Sequence, residues 1–319
     1  MVAALVILGL VPAGLGLLAL FSAQVVRRVE AALPPAGRFV EVPGARLHVV
    51  ERGQGPAILL VHGLAGQLGH YTYALVDLLG TQFRVVAVDR PGSGYSERTA
   101  GASAALSAQA DVLLALIERL GLERPLVVGH SLGGALALAL AQRHPARIGG
   151  LALLAPLTQL LPAAPSVFRG LTISQPWLRR LVARTLAVPL TMVGRASAVR
   201  VVFGPDAMPS DYGLRGGGLL ALRPSHFVAA CEDLAAIPAE LPAVMARYAA
   251  MQLPVAILYG RGDRILDPQL HGEMLAAQLP GARLCLTDGG HMLPVTAPER
   301  CAQFIREAAA RCAAAAAPA

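Results

Sequence analysis

The 319-residue sequence contains no lysine, so its formal charge of +7 at pH 7 rests on arginine alone. Those arginines are scattered and form no stripe. Aromatic residues amount to only 4%, which leaves few ring faces for bases to stack on. Nucleic-acid binding calls for a concentrated basic surface, so both shortages argue against nucleic acid as a partner. Cysteine is scarce too: Cys231, Cys285, Cys301 and Cys312 show no CxxC pair and no metal-ligand spacing. Four cysteines in a chain this long do not make a disulfide framework, and no metal or cofactor is expected. Charged residues make up just 15% against 55% hydrophobic, with mean hydropathy +0.56. A sizeable core can therefore form, and part of the apolar excess is local.

The local part is the N-terminus. "MVAALVILGLVPAGLGLLALFSAQVV" has no charged side chain before Arg27, and such a stretch can cross a bilayer core of ~30 Å. A cleaved signal peptide fits less well, because no Lys or Arg stands near the N-terminus and Phe21 spoils a small-x-small site at Ala23. A core helix is disfavoured because the folded domain looks complete without it. Arg27 and Arg28 bias this end toward the cytoplasm. The expectation is a single-pass anchor over 1–28 in a bacterial inner membrane, with the rest of the chain on the cytoplasmic side. A short stiff linker over 29–37, containing "ALPPAG", should follow.

Beyond it, Arg38 to Val42 and Arg46 to Glu51 alternate well enough for two strands joined at Pro43-Gly44. "AILLVHG", "RVVAVDRPG", "PLVVGHSLGG", "LALLAP" and "VAILYGRGD" are continuous apolar runs closed by turn residues, the pattern of strands buried on both faces. Helical patterns lie between them, over Ser103 to Leu120, Leu132 to Arg143 and Pro298 to Cys312. Strands alternating with helices predict a doubly wound, mostly parallel α/β sheet. Between Leu157 and Leu253 the rhythm breaks, and helical patterns interrupted by Pro and Gly predict a helical insertion. This divides the chain into a core over 38–156 and 254–312, an insertion over 157–253, and a disordered, alanine-rich tail over 313–319.

Ligands of open α/β sheets bind at the carboxyl ends of the strands, where Asp89, Ser131, Asp263 and His291 all fall. Ser131 sits in a G-x-S-x-G pattern between a strand and a helix. A serine on so sharp a turn has its Oγ exposed, with the positive helix N-terminus nearby. The bland reading is a serine N-cap. His291 in "DGGHMLP" follows the last predicted strand and offers a base. Asp263 in "GRGDRILDP" offers the carboxylate that would orient it. Asp267 and Asp288 are rivals for that acid, but Asp267 reads as opening a helix at Pro268 and Asp288 is only three residues from His291. No acid follows the strand ending at Ala155. His62 and His130 read as turn-forming residues, and His48, His144 and His271 as surface or strand-edge residues. Trp177, Phe203, Tyr212 and Phe227, with Arg223, Ser225 and His226, are the insertion's candidates for substrate contact.

The segments "HGLAG", "DRPGSGYS", "GHSLGG", "GRGD" and "GGH", spread over about residues 38–312, resemble the α/β-hydrolase superfamily, in its esterase and lipase-like branch with a helical cap. The resemblance implies Ser131 as nucleophile, Asp263 as acid and His291 as base, with the backbone N–H groups of Leu64 and Leu132 as the oxyanion hole. It also implies that Asp89 stabilises a turn and takes no part in catalysis. A serine at the nucleophile position argues against the branches that open epoxides or displace halide with an aspartate. The expected activity is cleavage of carboxylic esters through an acyl-enzyme. The expected substrate is small and hydrophobic, drawn from the bilayer. The same constellation serves lactones, thioesters, carbon–carbon hydrolysis and haloperoxidase-like chemistry, and the sequence does not separate them. A non-catalytic, membrane-tethered binding module is the reading from a different class.

Overall fold

The computed structural model describes the backbone of residues 2–316 and the side chains of residues 10–315. The apolar runs pair into one nine-stranded sheet: β1 (Arg38–Val42), β2 (Ala45–Arg52), β3 (Ala57–Val61), β4 (Arg84–Val88), β5 (Glu97–Arg98), β6 (Leu126–His130), β7 (Gly150–Leu154), β8 (Val255–Gly260) and β9 (Arg283–Thr287). Their order is β1-β2-β4-β3-β6-β7-β8-β9, with β5 beside β2. β2 pairs antiparallel with β1, β4 and β5, and all other pairings are parallel.

The helices are α1 (Val2–Ala32), α2 (Gly69–Thr72), α3 (Leu75–Gly80), α4 (Leu106–Arg119), α5 (Leu132–Arg143), α6 (Pro176–Arg184), α7 (Ala187–Val202), α8 (Pro224–Met245), α9 (Met274–Gln278), α10 (Leu293–Thr296) and α11 (Pro298–Ala316). Side chains alternate across a strand, and this alternation divides the core. Leu59, Val61, Val86, Val88, Leu151 and Leu153 face one cluster, with Leu113 of α4 and Leu136 of α5. Ile58, Leu60, Val85, Ala87, Ala152 and Leu154 face the other, with Leu79 of α3 and Phe304 of α11. Both faces being covered is why these strands read as unbroken apolar runs.

No strand forms between β7 and β8. α6, α7 and α8 lie there, two of them opened by proline at the first helical position, where its fixed φ suits a helix and its missing N–H costs nothing. The termini differ from expectation in two ways. α1 runs past residue 28 to Ala32, into the expected linker, because Val29 packs into the protein and only Pro34 and Pro35 then bar the helix. α11 continues through residues 313–316, which were expected in the disordered tail, because alanine has the best helix propensity; residues 317–319 lie outside the described residues.

Candidate active site

Ser131 occupies the single position between β6 and α5. Its φ of 54° and ψ of −121° are sparsely populated for a residue with a Cβ, at a cost of order 1–3 kcal/mol. The surroundings hold it there. Ser131 N–H donates to the Leu154 carbonyl at 3.0 Å, and the Ser131 carbonyl accepts from Gly134 and Leu157, each at 2.9 Å. The turn also needs its glycines for close approach: a Cβ on Gly129 would collide with the Gly133 carbonyl, and one on Gly133 with the Val61 carbonyl. The Ser131 hydroxyl makes no capping bond to α5, so helix capping does not account for it.

Asp263 lies just beyond β8, its carboxylate fully shielded from solvent. Oδ1 accepts N–H bonds from Ile265 at 2.8 Å and Leu266 at 3.0 Å, and Oδ2 accepts from His291 Nδ1 at 2.7 Å. With the Nδ1 hydrogen committed to the carboxylate, the neutral ring of His291 keeps Nε2 as a free acceptor. The loop that carries His291 is pinned to the end of β6: His130 Nε2, one residue before Ser131, pairs with the His291 carbonyl at 2.9 Å. Among the described residues no hydrogen bond joins Ser131 Oγ to His291, a bond that commonly tightens only around substrate. The rival acids are elsewhere. Asp267 accepts the Gln269 N–H at 2.8 Å in a turn, and Asp288 is exposed.

Leu64 and Leu132 flank Ser131 in the wall of one cavity. Among the described residues neither of their N–H groups has an acceptor within the protein. Gly63 brings the first loop close, since a Cβ there would stand 3.2 Å from Ser131 Oγ. That loop is held by a residue the sequence reading did not single out. Arg90 is fully buried. Its guanidinium donates to the carbonyls of His62 and Gly63, both at 3.0 Å, to Gln109 Oε1 at 3.0 Å, and to Asp233 Oδ2 of α8 at 2.7 Å. Its own N–H donates to His62 Nε2 at 2.9 Å. Burial is not written in the sequence, and Asp233 lies 143 residues away, so no local signal marked Arg90.

Asp89 sits beneath this loop as a turn-former. It accepts from Leu68 N–H at 2.7 Å, Tyr95 N–H at 2.9 Å and His48 Nδ1 at 2.8 Å. His48 and His271, expected at the surface or strand edge, are instead buried. His48 pairs with Asp89, and His271 Nδ1 accepts from Thr158 and Gln159 N–H groups, each at 3.2 Å. Burial holds His130 and His62 well below the usual imidazole range and pushes His70 down to about 3. These rings therefore surround the site as neutral groups.

The cavity measures about 330 Å³. Its walls are mainly apolar, with Leu160, Leu161, Phe168, Leu171, Leu234 and Ile237 lining it together with Ser131. None of the seven insertion residues named as candidate contacts lines it. Trp177 points to solvent, Tyr212 hydrogen-bonds His70 at 2.9 Å, Phe203 packs on Tyr212, and Arg223 pairs with Glu30 of α1 at 2.8 Å. His226 Nδ1 accepts the Gly94 N–H at 3.2 Å, Ser225 is exposed and Phe227 half-buried. Tyr212, Arg223 and His226 tie the insertion to the rest of the chain, while mostly aliphatic side chains, with Phe168, line the space. Among the described residues no three His, Cys, Asp or Glu side chains gather as a metal-ligand set.

Compared with known families, the chain matches the alpha/beta hydrolase fold over residues 56–298. It is similar to haloalkane dehalogenase 2 of Mycobacterium tuberculosis, 29% identical over 283 residues that cover 86% of this chain and 95% of that one. It is also similar to the magnesium-chelatase 30 kDa subunit of Rhodobacter capsulatus, 31% identical over 253 residues that cover 77% of this chain and 84% of that one. Among solved structures, a thermophilic esterase from Thermogutta terrifontis superposes with a TM-score of 0.68 at 25% identity, covering 86% of this chain and 99% of the other.

Proposed function

The chain belongs to the alpha/beta hydrolase fold family and is a hydrolase-type enzyme, and on that premise we propose that it cleaves carboxylic esters with Ser131, His291 and Asp263. In this mechanism His291 Nε2 takes the Ser131 proton as Oγ attacks the ester carbonyl. The Leu64 and Leu132 N–H groups receive the oxyanion; one such donor is typically worth about 10²–10³ in rate. Asp263 fixes the imidazole tautomer and stabilises its protonated form. The protonated His291 gives its proton to the leaving alcohol, then activates a water that releases the acid from Ser131. These steps use only groups of this chain and water.

The observation that carries the reading is a strained, uncapped serine sharing an apolar cavity with two unused N–H donors. The relationship to a dehalogenase is one of sequence and fold. A hydroxyl at position 131 supports acyl transfer over displacement of halide by a carboxylate. A fluorophosphonate probe should label Ser131, and Ser131→Ala should abolish both labelling and turnover of an activated ester. Unchanged turnover by that variant would sink the reading.

The proposal extends to the organisation of the chain. Residues 38–156 and 254–312 form the catalytic core, and residues 157–253 act as its cap, supported by their share of the cavity wall. The apolar lining favours an acyl chain as the group held. α1 acts as a membrane anchor: an apolar stretch within its Leu10–Ala32 portion has mean hydropathy 1.6, and most of that stretch stays unburied. Arg27 and Arg28 favour a cytoplasmic catalytic domain. Resistance of the membrane-bound protein to extraction by high salt and carbonate, together with its sensitivity to detergent, tests the anchor.

A further inference from the structure

The helical insertion has two properties that the chemistry at Ser131 leaves unused. The first is charge. Residues 157–204 contain six arginines and no Asp or Glu. Arg179 is buried and committed to the Ile173 and Ser174 carbonyls and to Glu232. Arg169, Arg180, Arg184, Arg195 and Arg200 are exposed, and among the described residues none of the five meets a carboxylate within ion-pair distance. The second is apolar exposure. Trp177 on α6 is 63% exposed, and Leu190 and Val193 on α7 are 62% and 84% exposed, with Leu186 and Met192 beside them. α6 and α7 meet at a bend of 75°, so this face is broad.

Its position along α1 identifies what covers it. Ser22 Oγ donates to the Thr185 carbonyl, at the α6–α7 junction, at 2.9 Å. Ser22 lies near the end of the uncharged stretch, five residues before Arg27. A helix rises about 1.5 Å per residue, so with the charged Arg27 in the headgroup layer, Ser22 lies only about 7.5 Å from it along α1. The junction of α6 and α7 then lies at that layer. Exposed Leu17, Leu20 and Phe21 on α1 make the apolar face continuous with the spanning helix. Mixed apolar and arginine-rich helices without acids bind in the interface of anionic bilayers.

We propose that α6 and α7 dock this face into the headgroup layer of an anionic lipid bilayer. The inference rests on the reading of α1 as a membrane anchor. It has a consequence for the cavity, whose wall over residues 160–174 runs directly into α6. Docking of α6 brings that wall to the lipid interface.

Trp177 is the only tryptophan, so its fluorescence reports on this face alone. The full chain is reconstituted into vesicles of phosphatidylcholine, with or without phosphatidylglycerol, and separated by flotation. Chains brominated near the headgroup should then quench Trp177 emission by about two-fold or more, more strongly with phosphatidylglycerol. The combined variant Arg180→Glu, Arg184→Glu, Arg195→Glu should still float but lose that quenching. Protein that floats while Trp177 stays open to iodide overturns the docking and leaves the anchor standing. Protein that does not float overturns both. Trp177 shielded from iodide yet unquenched by brominated chains, with Val193→Cys copies cross-linking to each other, gives the face to a second copy and overturns the inference.

Discussion

His291 and His48 each hold a buried aspartate through Nδ1, at 2.7 Å to Asp263 and 2.8 Å to Asp89. Both carboxylates also accept two backbone N–H groups, from Ile265 and Leu266 in one case and from Leu68 and Tyr95 in the other. Both rings are almost wholly shielded. Judged by residue types, burial and bond lengths, the two pairs are twins. Their second nitrogens differ. Nε2 of His48 already accepts the Gly37 N–H at 3.2 Å, while among the described residues Nε2 of His291 has no such partner. A histidine whose two nitrogens are both engaged is a strut between β2 and the turn after β4. One with a free acceptor can take a proton.

That contrast can be broken by substitution. His291→Gln should lower kcat for an activated ester by about 10⁴ or more, whereas His48→Gln should change kcat of the folded enzyme by less than about ten-fold. Comparable losses from both would erase the distinction. Asp263→Asn should cost about 10³–10⁴ in kcat through a wrong imidazole tautomer. Asp89→Asn should instead cost about 2–3 kcal/mol of stability, read from urea unfolding, because a donor then faces N–H groups that need an acceptor. Arg90→Met tests the ground shared by both pairs. It leaves Asp233 with Arg98 as its one remaining arginine partner and should cost about 3–5 kcal/mol in unfolding free energy. In whatever fraction folds, a fall in kcat without a matching rise in KM would trace to the loosened loop that carries Leu64.

The smallest effect concerns pH. His70 titrates at about 3 in the folded chain, chiefly through burial, against about 6.5 when unfolded. Between those values the unfolded chain binds the extra proton, so stability is full above about pH 6.5 and declines as pH falls toward 3. From pH 7 to pH 5 this one ring should remove about 2 kcal/mol. Thermal unfolding at both values, in wild type and His70→Gln, measures it; an equal decline in the two proteins would count against the assignment.

The sequence made the sheet legible because both faces are buried and each strand is a continuous apolar run. Ser131, Asp263 and His291 could be named because each follows its own strand, a local cue. His48 and Asp89 could not be paired, since their meeting depends on β2 lying antiparallel beside β4 with Val49 opposite Val88. That register is a long-range fact, and it also hid the burial of His48. Arg90 and Asp233 are 143 residues apart, and nothing near either announces the other. In the insertion, large aromatic residues suggested a pocket lining, yet Trp177 lies outside and leucines line the space. There the cue was residue size, and size says nothing about which face of a helix points inward.

The turn at Ser131 owes its shape to its neighbours and not to serine. Gly129, Gly133 and the Leu154 carbonyl enforce the contorted backbone from outside, and the hydroxyl spends no bond on the helix. The position is thus a socket. The scaffold supplies the contortion, and any small side chain seated there inherits its place in the cavity wall. Under the proposed mechanism, exchanging the side chain at 131 would change the reaction offered while leaving the architecture in place, so fold and chemistry would be separable at a single residue.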